Sequence, residues 1–308
     1  MISIFRLIRL SNLLFIFFSM MGIAYFILKN NSFQKVDFSI FDYSLLILST
    51  VIIAAAGNMI NDYFDIKADR INKPERVIVS KYLKKRWVIL IHWILNSIAV
   101  LISIYLSYKY NSFLFVFIHL GSINLLWFYS VYLKRKVIIG NFIVAILASC
   151  IPLIAVWYFR IANESTITFS SYNSVSWSTN LDYSFIYFIS FCGFLQIFAL
   201  EITKDIDDMI GDKVMNIISI PMKYGVQKAA WIAMILLQIP LIIGILLYMT
   251  AKIEVNNLSL LFLIGAGLIN LFIFIYYGFI KPLNFKTISM LIKISMFLPL
   301  LSFLFNYK

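Results

Sequence analysis

Three aspartates occur twice in this chain at one spacing. Asp62, Asp65 and Asp69 form the first set and Asp205, Asp208 and Asp212 the second, so both read D-x-x-D-x-x-x-D. Asn58 and Asn61 lead into the first set, Glu201 and Lys204 into the second. On a helix turning about 100° per residue, positions i, i+3 and i+7 lie within about 60° of one another. Position i−4, which is Asn58 in one motif and Glu201 in the other, falls on the same stripe. Each motif is therefore expected to project a column of oxygen ligands from one helix face. Carboxylates stacked this way repel one another unless a cation sits among them. Oxygen-only donors suit Mg²⁺, which binds through a few carboxylates, keeps several waters and bridges to substrate phosphates. Two columns facing each other would make a receptor for a diphosphate. A single D-x-x-D would be read as a charged helix end, but two copies at identical spacing argue for chemistry. Basic side chains able to neutralise phosphate are close in sequence: Lys67, Arg70, Lys73 and Arg76 after the first motif, Lys204 and Lys213 in the second, and Lys134 with Arg135 elsewhere. Asp207 lies about 100° off the stripe and reads as a solvated helix-face residue.

The elements that must hold these residues are membrane spans. Of 308 residues, 62% are apolar or aromatic and only 13% charged, whereas a soluble domain carries roughly 45–50% and about 25%. Nine apolar runs, at 10–28, 43–60, 87–107, 112–130, 137–159, 183–200, 227–249, 258–280 and 287–305, are each long enough to cross about 30 Å of hydrocarbon. The expected class is an all-α, polytopic helical bundle forming one transmembrane domain over residues 1–308. The motifs close the second and sixth runs. Most of the lysines and arginines fall on the same side of the membrane as the motifs, Lys29, Lys35, Lys109, Arg160, Lys252 and Lys308 lie opposite, and Lys293 is inside the last run. By the positive-inside rule, the N-terminus and both motifs are cytoplasmic. The net charge of +12 thus orients the chain and meets lipid headgroups, and does not imply nucleic acid. No cleavable signal is expected, because residues 1–9 lead directly into a long span.

Other features carry no chemistry. Cys150 and Cys192 sit in apolar runs without ligand spacing and read as small buried residues. His92 and His119 stand alone in spans three and four and read as packing residues. The Ser/Thr/Asn-rich stretch at 163–180 reads as a surface loop, and Pro152, Pro240 and Pro299 inside apolar runs predict local kinks. Gly57, Gly211 and Gly225 read as close-packing or helix-end residues. P-loop, G-x-G-x-x-G and G-x-S-x-G patterns are absent, so nucleotide hydrolysis and serine-hydrolase chemistry have no support.

At N-x-x-N-D-Y-F-D-I-K-A-D-R-I-N-K-P (residues 58–74) and E-I-T-K-D-I-D-D-M-I-G-D (residues 201–212), the chain resembles the UbiA superfamily of intramembrane prenyltransferases. The stretches Arg9-x-x-Asn12 and Tyr129-Ser130-x-x-Leu133-Lys134-Arg135 look like features of the same family. The resemblance implies that Asn58, Asp62 and Asp65 hold one Mg²⁺ with Asp69 adjoining. Asp208 and Asp212 would hold another, with Asp205 in support. Arg9, Asn12, Asn61, Lys67, Lys73, Arg76, Tyr129, Lys134, Lys204 and Lys213 would then bind substrate. The implied reaction is Mg²⁺-assisted departure of diphosphate from an allylic carbon, with capture of the prenyl cation by a lipid or aromatic acceptor. Metals stabilise charge growing on the leaving group, and apolar walls keep water from the cation. Asn72-Lys73-Pro74 and Lys204-Asp205-Ile206 look most like the branch that prenylates geranylgeranylglyceryl phosphate. Two departures bear on the acceptor: Arg76-Val77-Ile78-Val79-Ser80-Lys81 stands where relatives carry R-P-I-P-S-G, and Leu200 stands where they carry arginine. An aromatic-acceptor, quinone-pathway enzyme is the alternative. From another class, a divalent cation transporter remains open, although its ligands belong near the bilayer midplane.

Overall fold

The computed structural model describes residues 6–30, 39–167, 183–250, 253–279 and 284–306, without the side chains of Arg76 and residues 164–167. The expectations for residues 168–180, Lys35, Lys252, Lys281 and Lys308 and for the end of the eighth run fall outside these residues. Among the described residues the elements are helices: α1 Leu10–Asn30, α2 Ile40–Phe64, α3 Ile66–Asn72, α4 Lys85–Lys109, α5 Leu114–Val131, α6 Ile139–Ile167, α7 Ser184–Val214, α8 Ile220–Tyr224, α9 Val226–Met249, α10 Asn257–Phe279 and α11 Phe285–Ser302. Nine of the described helices are long and apolar enough to cross a membrane, and each corresponds to one expected run. In hydrocarbon, a helix is the form that satisfies its own backbone N–H and C=O groups. Outward faces accordingly carry bare Leu, Ile and Phe, such as Phe117 and Leu261. Pro152, Pro240 and Pro299 lie inside α6, α9 and α11, which continue through them.

Packing places α2 and α7 where the motifs need them. Helix α2 lies against α1, α4 and α5, while α7 lies against α6, α9 and α11. The short α3 continues from α2 and packs onto α7, so it bridges the two motif-bearing helices. One apolar cluster gathers Ala199, Leu200, Ile202 and Ile206 of α7 with Ala230, Met234 and Ile292 of its neighbours. Another seats Leu7, Met59, Ile66, Ile78, Val79 and Val88 beneath the first motif.

The opposite end of α2 is stapled by a buried charge. Ser39 caps the helix by accepting from the Asp42 N–H. The fully buried Asp42 carboxylate meets Lys109 Nζ at 2.6 Å and accepts from Tyr110 at 2.8 Å and Tyr105 at 3.1 Å. Its desolvation is thereby offset by pairing, as a buried charge requires. The two histidines are packing residues: His92 bonds the Ala56 carbonyl at 3.0 Å, and His119 bonds Phe115 O at 2.7 Å and Ser49 Oγ at 2.8 Å. Cys150 and Cys192 are free thiols.

Candidate active site

The first aspartate row does not lie on one continuous helix. Helix α2 ends at Phe64, Asp65 takes φ −87° and ψ 0°, and α3 begins at Ile66. The i→i−4 bonds Asp65 N–H to Asn61 O and Asp69 N–H to Asp65 O, both 2.9 Å, persist across this joint. The row therefore keeps its rotational sense while Asp69 is carried on a separate, bridging helix. The cause is tertiary: Asp65 is 6% exposed and ion-paired with Lys134, and α3 packs on α7. The second row does lie on one helix, because α7 runs unbroken from Ser184 to Val214.

Each row is partly neutralised by basic side chains, several of them from distant parts of the chain. Arg9 Nη2 donates to Asp62 at 2.8 Å. Arg9 holds a left-handed backbone (φ 54°), which costs an L-residue about 1–2 kcal/mol. Burial disfavours its charge, but Asp62, with Glu201 and Asp65 beyond it, reverses that and raises its pKa. Asn58 Nδ2 donates to the Ile8 carbonyl at 2.9 Å, so the N-terminal turn is pinned to the first motif twice. On the other row, Glu201 pairs with Lys204 at 2.5 Å, Asp205 accepts from Asn141 Nδ2 at 2.8 Å, and Asp208 lies 2.6 Å from Lys73 Nζ. Lys134 joins the rows. It pairs with Asp65 and also feels Asp212, and these charges raise its pKa against the opposing effect of burial. Asp212, 6% exposed, is within electrostatic reach of Asp208 and Asp65, one carboxylate from each motif. Tyr129 lies among the same charges, close enough to sense Lys134, Glu201, Asp65 and Asp205. Asp69, on α3, is pushed up to about 6, first by burial and then by Asp65 and Asp62.

Of the sequence-derived site residues, Asp62, Asp65, Asp69, Asp205, Asp208, Asp212, Arg9, Tyr129, Lys134 and Lys73 thus gather at one end of the bundle. Asn12, Lys67 and Lys213 are exposed, Lys204 is engaged by Glu201, and Arg70 donates to Ser80 Oγ at 2.9 Å. The Arg76 side chain is outside the described residues. Asp207 is half-buried near Lys286 and Lys73 rather than solvated. Sequence reasoning missed Asn141, since a lone asparagine in an apolar span gives no spacing signal.

Among the described residues no three acidic, histidine or cysteine side chains converge into a ready metal cage. The donors fit a hard cation nonetheless. They are all carboxylate and amide oxygens, and Asn61 Oδ1 is buried without a hydrogen-bond partner, which is the kind of orphan a divalent ion satisfies.

The model of the UbiA prenyltransferase family matches residues 15–300. The chain belongs to this family. It is accordingly a prenyltransferase, built as a multi-pass helical membrane protein. Curated relatives include digeranylgeranylglyceryl phosphate synthase of Methanosarcina barkeri, 29% identical over 92% of this chain and 89% of the relative. The enzyme of that name from Methanococcus maripaludis (strain C7) is 32% identical over 72% and 73%. A solved digeranylgeranylglyceryl phosphate synthase structure superposes with a TM-score of 0.62 at 25% identity, covering 99% of this chain and 97% of its own. The UbiA homologue from Archaeoglobus fulgidus, solved with DMAPP and Mg²⁺, gives a TM-score of 0.61 at 15% identity over 98% and 97%, a likeness of fold.

Proposed function

We propose that this chain transfers a prenyl group from a prenyl diphosphate to a membrane-borne glyceryl phosphate ether, geranylgeranylglyceryl phosphate in the first instance, with Mg²⁺ as cofactor. The observation that carries the reading is the meeting of two aspartate rows at one end of the bundle, joined by Lys134. The likeness to digeranylgeranylglyceryl phosphate synthases supports the choice of acceptor. Asn58, Asp62 and Asp65 would hold one ion with Asp69 adjoining, and Asp208 and Asp212 a second, with Asp205 kept in place by Asn141. Bound Mg²⁺ supplies electrostatic stabilisation of the charge that grows on the departing diphosphate.

The protein's own side chains do the rest. Arg9, Lys73 and Lys134 are paired with carboxylates and would be free to bind phosphate oxygens if those carboxylates held metal ions, so that charges would not be left bare. Apolar walls from α2, α5 and α7 keep water from the allylic cation, and Tyr129, which lies among the site's charges, is an aromatic ring able to stabilise a cation there. The N-terminus and both motifs lie on the cytoplasmic side, and residues 1–308 act as one unit. The test is an acceptor screen on purified protein with labelled geranylgeranyl diphosphate, offering geranylgeranylglyceryl phosphate, 4-hydroxybenzoate and dihydroxynaphthoate. Mg²⁺-dependent product with the glyceryl phosphate ether is expected. Product with an aromatic acid alone would move the chain to the quinone branch. Metal flux into proteoliposomes without transfer would favour a transporter.

A further inference from the structure

We propose that Asn72 is a positioning residue whose side-chain amide clasps the second motif, fixing the separation of the two aspartate rows and hence the affinity of the site for divalent ions. The inference rests on the proposed metal-dependent reading and adds the device that sets its geometry. Both ends of the amide are used on α7: Asn72 Nδ2 donates to the Asp208 carbonyl at 2.9 Å, and Asn72 Oδ1 accepts from the Gly211 N–H at 2.8 Å. The next residue, Lys73, reaches the carboxylate of that same Asp208 at 2.6 Å. Two consecutive residues at the end of α3 therefore hold Asp208 by its backbone and its side chain.

The contact has no slack. A Cβ at position 211 would stand 2.4 Å from Asn72 Nδ2, 2.6 Å from Asn72 Cγ and 2.7 Å from the Ala68 carbonyl oxygen, so only glycine lets α3 come this close. Apolar burial contributes little here, because α3 has seven residues and only Ile66 and Ala68 are buried. A polar clasp must then decide where the helix sits. Asp69 rides on this helix one turn before Asn72, so whatever moves α3 moves a ligand of the first row against the second. Aspartate at 72 would lack the donor and set a negative charge beside the Asp208 carbonyl. Alanine would lack both bonds.

The experiment places spin labels at Ile71→Cys on α3 and Ile210→Cys on α7, both exposed positions, with Cys150 and Cys192 replaced by alanine. Label separation and Mn²⁺ affinity are read by electron paramagnetic resonance on the full chain in nanodiscs, without substrate. The parent protein should give one narrow distance. Asn72→Ala and Asn72→Asp should lengthen and broaden it and weaken Mn²⁺ binding roughly 10- to 100-fold, as loss of a ligand-orienting partner does. Gly211→Ala should do the same with Asn72 intact, and Asn72→Gln should recover part of the affinity. An unchanged distance and Mn²⁺ affinity in Asn72→Ala would overturn the proposal, as would variants that lose only thermal stability. Because neither readout uses substrate, a parent protein inactive in prenyl transfer would contradict the proposed function and leave the clasp tested.

Discussion

Lys134 illustrates how one half-buried cation can serve two states of a site. It pairs with Asp65 and feels Asp212, so its removal leaves these carboxylates with less positive charge to offset their mutual repulsion. Lys134→Ala should lower kcat/KM by about 10²–10³, the scale of losing a charge-stabilising donor, whereas Lys134→Arg keeps the charge and should lose less. Steady-state kinetics on both variants checks this. Asp69 gives a pH signature. Its pKa is raised to about 6 by burial and by Asp65 and Asp62, against an unfolded value of about 3.9. Between these values the folded protein binds more protons than the unfolded chain, so this group makes stability fall as pH rises from about 4 to about 6. Metal-free protein should show that slope in thermal unfolding, Asp69→Asn should make it shallower, and saturating Mg²⁺ should oppose it, since the ion binds the ionised carboxylate. At this scale the aspartates and the asparagine leading the first motif were legible because type and spacing announce them, and Lys134 through the family-like stretch that carries it. Asn141 and the grip of Asn72 on α7 were not, since each depends on which helix lies opposite.

Among the elements, α7 and α2 carry the same motif and end differently. The periodicity that predicted a column of oxygens holds along α7 to Val214, but α2 stops at Phe64 and α3 takes Asp69 onward. Nothing in the first motif's own residues marks that joint: Asp65 is neither proline nor glycine, and its conformation follows from the Lys134 pair and the seat of α3 on α7. The far end of α2 was equally silent in sequence. Asp42, Ser39, Lys109 and the tyrosines at 105 and 110 are ordinary residues until packing collects them. Removing the Asp42 carboxylate takes an acceptor from Tyr105 and from Tyr110, which keeps Tyr158 at 3.0 Å, and leaves the partly exposed Lys109 ammonium without its counter-charge. Asp42→Ala should cost about 2 kcal/mol or more, seen as a lower unfolding temperature in detergent, with kcat changed little at the distant site.

At the scale of the molecule, composition and run length gave nine spans close to the observed nine among the described residues, because lipid forces a helix on each long apolar segment. The helix itself runs on past residue 200, the expected end of the sixth span. Helix α7 continues for 31 residues, or about 46 Å at 1.5 Å per residue, well beyond about 30 Å of hydrocarbon. A motif at the end of so long a helix falls at or beyond the edge of the hydrocarbon. The cytoplasmic placement of the motifs that we propose from charge makes a prediction: a cysteine at exposed Lys81 should react with a membrane-impermeant maleimide only after cells are opened, and one at exposed Tyr108 in intact cells.

The central claim, that two aspartate rows together carry a metal-dependent prenyl transfer, is tested most directly by one assay. Purified protein in nanodiscs, geranylgeranyl diphosphate and geranylgeranylglyceryl phosphate are mixed with and without Mg²⁺, for the parent chain and for Asp65→Ala and Asp208→Ala. Product should form only in the parent chain with Mg²⁺, while both variants stay folded and membrane-inserted with turnover reduced by about 10³ or more. Undiminished turnover in either variant, or in the parent chain stripped of divalent ions, would contradict the account.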